Sequence, residues 1–343
     1  MKMNMKYTFI YITVFIAASL LFLTSCAQEL EESTDSVQER ILNAYIQKYH
    51  PDATRLDSGT YLLDSIPGTG IVPHDTSYVL VRYSITYLSG SYIETSYDSV
   101  AKQLGTYETS GYYEPVVWYM PECSNGLREI LTKMKAGGKI MAILPSKQLN
   151  EENDGYFISS GDGASKIYDI ELIQVINDFD QYQYDEIRKF AAQYYPKFTD
   201  LADTTEYGFF FCKTETHPED TLKDSEFLTA RYVGRYLNYN VFDTNIADTA
   251  KRYRMYDKTN EAYATISFQH RTEEKDALEG NSFVKGFSKA LNMMNYGEKA
   301  IVIFYQDLGY GSSGSGNIPG YVPLCFELYV EPSDELVEEE EES

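Results

Sequence analysis

FVKGFSKALNMMNYGEKAIVIFYQDLGYGSSGSGNIPGYVPLCFELYV, residues 283–330, is the stretch that decides how the rest of the chain is read. Phe283, Phe287, Ala290, Leu291 and Met294 fall at i, i+4, i+7, i+8 and i+11, which predicts a short helix with one apolar face. Asn295-Tyr296-Gly297-Glu298-Lys299 is a turn that stops it. An apolar strand follows over residues 300–305, then a glycine-rich loop over 309–320, then a strand over 324–330.

The same order occurs once before. Leu127, Ile130, Leu131 and Met134 repeat the helical spacing, and Lys135-Ala136-Gly137-Gly138-Lys139 repeats the turn. Strands follow over residues 140–144 and 167–175. Upstream, Val79, Val81, Tyr83, Ile85 and Tyr87 alternate with Arg82, Ser84 and Thr86; in the second half Leu228, Ala230, Tyr232, Gly234 and Tyr236 alternate with Thr229, Arg231 and Arg235. Period two predicts a sheet with one buried side. Before each strand set lies a helix, spaced by Val37, Ile41, Tyr45 and Tyr49 and ended by Pro51, or by Ile187, Phe190, Ala191 and Tyr194 and ended by Pro196. Each helix runs into a strand-like segment, residues 59–63 or 207–211. The chain is therefore an internal repeat of an α+β domain, with the break in the polar stretch 178–185.

With these residues in place, the second half resembles FKBP-type peptidyl-prolyl cis-trans isomerases (rotamases). That family has a strand Tyr followed ten residues later by Phe-Asp, matched here by Tyr232 and Phe242-Asp243. Phe283-Val284-Lys285-Gly286-Phe287 stands where the family has its Val-Ile-x-Gly-Trp helix start, with Phe287 in place of the Trp. Met294, Gly297, Tyr310-Gly311, Gly314, Gly316, Ile318, Pro319, Leu324 and Phe326 continue the match; Gly320 and Asn317 depart from it. A long insertion, residues 244–281, separates Asp243 from the helix and leaves Arg252 and Arg254 as the candidates for the family's Arg partner of the Asp.

The resemblance implies two FKBP-like domains, each a curved antiparallel sheet wrapped on a short helix and preceded by an extra helix. Their extents are residues 27–178 for a degenerate copy and 179–333 for the copy closer to the family, with an acidic tail over 334–343. It implies a proline pocket in the second copy formed by Tyr232, Phe242, Val284, Phe287, Ile318 and Phe326, with Tyr310 donating to the substrate carbonyl and Asp243 beside it. The first copy has Tyr83 at the strand position, but Ile93-Glu94 replaces Phe-Asp, Gly126-Leu127 replaces Gly-Trp, Cys123 and Ser124 precede them, and no Tyr-Gly loop aligns. Its pocket is expected to be largely lost. The expected partners are proline-containing polypeptides. The expected function is folding assistance to exported proteins, the alternative being a non-catalytic peptide-binding module.

The termini and the charge give an address. Lys2 and Lys6 precede an apolar run over residues 7–23, an export signal. Leu23-Thr24-Ser25-Cys26 resembles a lipobox, which closes the lipoprotein signal segment 1–26 and implies removal of residues 1–25, lipidation of Cys26 as the new N-terminus and anchoring at the envelope, in the outer membrane of a Gram-negative cell. A net charge of -23, with no basic stripe, excludes nucleic acid as partner. The 43% hydrophobic residues suffice for real cores. His50, His74, His217 and His270 lack ligand spacing, so neither metal nor other cofactor is expected. Cys123, Cys212 and Cys325 form no disulfide framework, although Cys212 and Cys325 pair if their strands meet.

Overall fold

The computed structural model describes residues 33–149, 163–196, 198, 207–217, 222–223, 225–258, 263–271 and 283–332. Cys26, the export segment, the acidic tail and most of the loop after Leu149 lie outside the described residues. In the first copy α1 (Thr34–Tyr49) precedes β1 (Thr54–Arg55), β2 (Tyr61–Ile66), β3 (Tyr78–Tyr87) and β4 (Tyr92–Thr95). Then come α2 (Asp98–Leu104), β5 (Val116–Tyr119), α3 (Asn125–Thr132), β6 (Gly138–Leu144), α4 (Ser146–Leu149) and β7 (Lys166–Ile176). The second copy runs α5 (Phe179–Tyr194), β8 (Phe209–Glu215), β9 (Phe227–Arg235), β10 (Val241–Thr244), α6 (Ala247–Arg252), β11 (Ile266–Gln269), α7 (Lys285–Asn292), β12 (Lys299–Phe304) and β13 (Leu324–Val330).

Both sheets have one topology. The first is ordered β1-β2-β6-β7-β3-β4 with β5 also on β3; the second is β8-β12-β13-β9-β10 with β11 also on β9. Leaving β1 aside, each strand of one has its counterpart in the other, and all pairings are antiparallel. The repeat read from the sequence is thus a repeat of strand order, in an α+β fold.

The short helices pack against one face of each sheet. α3 buries Gly126, Leu127, Ile130 and Leu131, and α7 buries Gly286, Phe287, Ala290 and Leu291. Full burial of one such large apolar side chain contributes about 1.5–3 kcal/mol. Gly286 has to be glycine, because a Cβ there would run into the Phe304 ring.

Two expectations are corrected. The alternating pattern predicted sheets buried on one side, yet the second sheet is buried on both. Its outer face carries Phe210, Ile301, Ile303 and Cys325, covered by Ile187, Phe190 and Ala191 of α5. Arg235, predicted to face away from the core, is 6% exposed, and its guanidinium pairs with Glu327 at 2.8 Å and lies 4.0 Å over the Tyr239 ring. The first helix does not repeat this role. Of its predicted apolar stripe, Ile41 is 47% and Tyr49 56% exposed, and Leu42 is the residue it buries.

Within the stretch 178–185, residues 179–185 are the first turns of α5. Asp178 caps α5 by accepting from the Gln181 N–H at 2.9 Å, and Phe179 joins Val117, Ile176 and Tyr321 in an apolar cluster that spans both copies. Tyr78 stacks on Tyr119 at 4.3 Å and on Phe179 at 4.4 Å within it. Cys123, Cys212 and Cys325 are free thiols. Cys212 and Cys325 sit on β8 and β13, opposite sides of β12, so their strands do not meet.

Candidate functional site

β9 and β10 form a bulged hairpin that pairs Asp243 with Gly234, two positions along β9 from Tyr232. The Tyr232 hydroxyl donates to Asp243 Oδ2 at 2.7 Å. Asn245 fixes the hairpin from behind: its Oδ1 accepts the Tyr232 N–H at 2.8 Å and its amide donates to the Ala230 carbonyl at 3.0 Å. The hairpin is held by its own side chains, so the Tyr–Asp pair arrives pre-oriented.

Beneath the pair lies an aromatic box. Phe287 meets Tyr232 edge-on at 5.4 Å and Phe326 at 4.9 Å, and Phe326 meets Phe242 at 5.6 Å. Rings at these separations and angles attract beyond simple area burial. Gly234 makes room for them, since a Cβ at that position would lie 2.7 Å from the Phe242 ring and 3.0 Å from Phe326. Phe287 and Phe326 are buried, while Tyr232, Phe242, Val284, Tyr310 and Ile318 pack against the same cluster half-buried. All eight residues singled out from the sequence for this pocket therefore gather at one end of the second sheet, Asp243 through its bond to Tyr232. Val284 caps the start of α7, the place the helix-start motif assigned to it.

The polar rim is kept in donor form. Burial, reinforced by the Asp243 carboxylate, pushes the phenol of Tyr232 far above its usual value, and the same two causes raise Tyr310. Both remain protonated hydroxyls throughout the physiological range. The Tyr310 loop holds its shape through the Ser315–Ile318 bridge and through Gly314, whose φ of 67° and close approach to the Ile318 and Pro319 backbone admit no side chain. Arg252 and Arg254 are exposed, and among the described residues neither bonds Asp243. The candidates for an arginine partner fail.

The first copy repeats more of this arrangement than its sequence indicated. The Tyr83 hydroxyl donates to Glu94 Oε1, and Ser96 Oγ accepts the Tyr83 N–H at 2.8 Å, as Asn245 does for Tyr232. Its aromatic floor comes from Trp118 on β5, 3% exposed and 5.1 Å from Tyr83, not from the helix that follows. Where the second copy has Gly234 the first has Ile85, fully buried. A cavity of about 830 Å3 opens beside Tyr83, Glu94 and Trp118 and is also lined by Ser313 and residues 316–320 of the second copy. The expectation that this pocket is largely lost is corrected to that extent. Trp118 was the missed signal: the lone Trp stands in an apolar run after Pro115.

Among the described residues no group of three or more His, Cys, Asp or Glu could hold a metal ion, and no helix is long and apolar enough to cross a membrane. The family model of FKBP-type peptidyl-prolyl cis-trans isomerase matches residues 219–331, so the second copy is an FKBP-type domain. The chain is 24% identical over 269 residues to peptidyl-prolyl cis-trans isomerase FKBP9 of Homo sapiens and equally to that of Bos taurus; the match takes in 76% of this chain and 36% of each relative. It spans about a third of the length of those relatives. Among solved structures, the three FKBP domains of wheat FKBP73 align over 80% of this chain and 95% of theirs (TM-score 0.27, 16% identity). FkpA from Escherichia coli aligns over 48% and 71% (TM-score 0.32, 21% identity).

Proposed function

We propose that the second copy catalyses cis-trans isomerisation of Xaa-Pro bonds in polypeptides. The observation that carries this reading is the Tyr232–Asp243 hydrogen bond of 2.7 Å standing over the Phe242, Phe287 and Phe326 rings. Rotation about an Xaa-Pro bond faces a barrier of about 18–20 kcal/mol because it breaks amide resonance. No covalent step is needed. A twisted amide has lost much of its charge separation, so an apolar box that excludes water favours it over the planar form. A proline ring seats among the aromatics, and the Tyr310 hydroxyl donates to the substrate carbonyl. Asp243 orients Tyr232 and stands near that carbonyl.

The test is proline isomerisation by the full-length protein, with Asp243→Ala and Tyr310→Phe alongside. The expected result is measurable turnover, inhibition by rapamycin-like macrolides, and loss in both variants. Turnover at the uncatalysed rate leaves the second reading, a peptide-binding module without catalysis. The specific observation favouring that reading is how far the box closes on itself, with Phe326 within 6 Å of Phe242, Phe287 and Phe304.

We place the protein, as part of this proposal, at the cell envelope of a Gram-negative bacterium, lipid-anchored through Cys26 and assisting exported polypeptides. Lys2, Lys6, the apolar run 7–23 and the Leu23-to-Cys26 motif support it. Metabolic labelling with a palmitate analogue is expected to mark the wild-type chain and not Cys26→Ser; equal labelling of both removes the anchor.

A further inference from the structure

We infer that the cleft between the two copies is a second polypeptide site, which takes an extended segment carrying a lysine or arginine beside apolar residues. The cleft holds about 830 Å3, within the range of ligand pockets, about 300–1,000 Å3. The first copy supplies most of its lining, and Ser313 with residues 316–320 of the second copy's loop supply the rest. That loop is held in place across the copies: the Asn317 amide donates to Glu108 Oε2 at 2.6 Å, and the Tyr236 hydroxyl lies within reach of both the Ser110 carbonyl, at 3.1 Å, and the Asn317 carbonyl, at 3.4 Å. Tyr112 also meets the Tyr236 ring edge-on at 5.0 Å.

Three features of the walls select the occupant. First, β4 is the outermost strand of its sheet, bonded to β3 alone, and all four of its residues line the cleft. An edge strand offers unpaired N–H and C=O groups to an extended chain, which a compact small molecule does not match. Second, Tyr92 and Leu104 present apolar surface there, 45% and 44% exposed. Third, the charge is of one sign: Glu94 and Glu108 line the cleft, and among the described residues no Lys, Arg or His does. Glu94 is an exposed residue lining the cavity, where partial loss of water nonetheless raises its carboxyl pKa and the Tyr83 hydroxyl works against that rise. A cation entering the cleft supplies a charge partner that Glu94 does not have among the described residues; an acidic segment meets repulsion from both carboxylates.

The probe is the full-length protein titrated with acetyl-Ala-Leu-Lys-Val-Ala-amide and with its counterpart carrying Glu for Lys. Both lack proline, so the proline pocket of the second copy is not read. Calorimetry reports binding, and fluorescence of Trp118, the one tryptophan of the chain, reports where. The expected result is saturable binding of the Lys peptide with a change in Trp118 emission, and binding of the Glu peptide at least about tenfold weaker. Glu94→Gln and Glu108→Gln are each expected to weaken the Lys peptide about fivefold, while Asp248→Asn, a remote carboxylate 91% exposed, leaves it unchanged. No binding of the Lys peptide, equal binding of the two peptides, no response of Trp118, or equal loss in Asp248→Asn each overturns the inference.

Discussion

The two copies share a strand order and a Tyr–carboxylate pair, and they part at one residue two positions along the same strand. Gly234 in the second copy leaves its space to Phe242 and Phe326. Ile85 in the first fills that space itself, and Tyr168, fully buried, stands across the ladder where Phe326 stands in the second. One copy is built to surround a ring with rings; the other has turned that volume into core and moved its opening outward, toward β4 and Trp118. A pocket is relocated by trading side-chain volume across a strand pair, with the backbone kept.

The outer faces differ as sharply, and there the largest effect is expected. Phe190 of α5 is 2% exposed against the second sheet, whereas Ile41 of α1 is 47% exposed. Phe190→Ala is predicted to destabilise the second copy by about 3–5 kcal/mol, and Ile41→Ala to cost about 0.5 kcal/mol or less, both read by urea unfolding. Comparable costs would show that α1 packs as α5 does and would end that part of the comparison. Next comes Gly234→Ile, which gives the second copy the residue of the first. Overpacking against Phe242 and Phe326 is predicted to cost about 3 kcal/mol and to bring proline isomerisation to the uncatalysed rate. Turnover that survives in this variant would mean the rings are not the site.

What was legible in the sequence was local and periodic. The spacing of Phe283 to Met294 and the alternation of Val79 to Ile85 were enough for helix, strand and repeat, since each depends only on neighbours within one element. The Tyr232 and Asp243 pairing was legible through family spacing, because a hairpin of fixed length brings residues of fixed separation together. Burial of Arg235 was not legible. It depends on α5 returning to cover the far face of the sheet, and a period-two pattern carries no information about a distant helix. Trp118 was missed for the same reason: β5 joins β3 from far along the chain, so its place beside Tyr83 is set by pairing register. The cleft needs both copies and leaves no trace in either one.

A smaller effect sharpens the comparison of the polar pairs. Tyr232→Phe removes the donor to Asp243 and is predicted to lower kcat/KM for proline isomerisation about tenfold, about 1.4 kcal/mol in transition-state stabilisation. Tyr83→Phe, the same change in the first copy, is predicted to leave that rate unaltered. A rate that falls equally in both would place turnover in both copies.

The smallest effect concerns Glu94, and its sign follows from desolvation of its carboxyl in the cleft. Desolvation in the cleft raises the folded carboxyl above its ordinary value of 4.5, with the Tyr83 hydroxyl opposing. A group that binds its proton more tightly folded than unfolded makes the unfolded state the poorer proton binder, so stability falls as pH rises through the window above 4.5. Above that window the penalty stays in full; below it both states are protonated and the penalty is gone. Glu94→Gln keeps an acceptor for Tyr83 and removes the charge. It is therefore predicted to stabilise the first copy at neutral pH by about 0.5 kcal/mol or less, since water in the cleft screens the carboxylate, and to match the wild type at pH 4. Thermal unfolding of both proteins across pH 4–8 reads the difference. A variant less stable than wild type at neutral pH would mean that the ionised carboxylate is held by a partner in the first copy, and the kinship of Glu94 with the substrate-facing Asp243 would be broken.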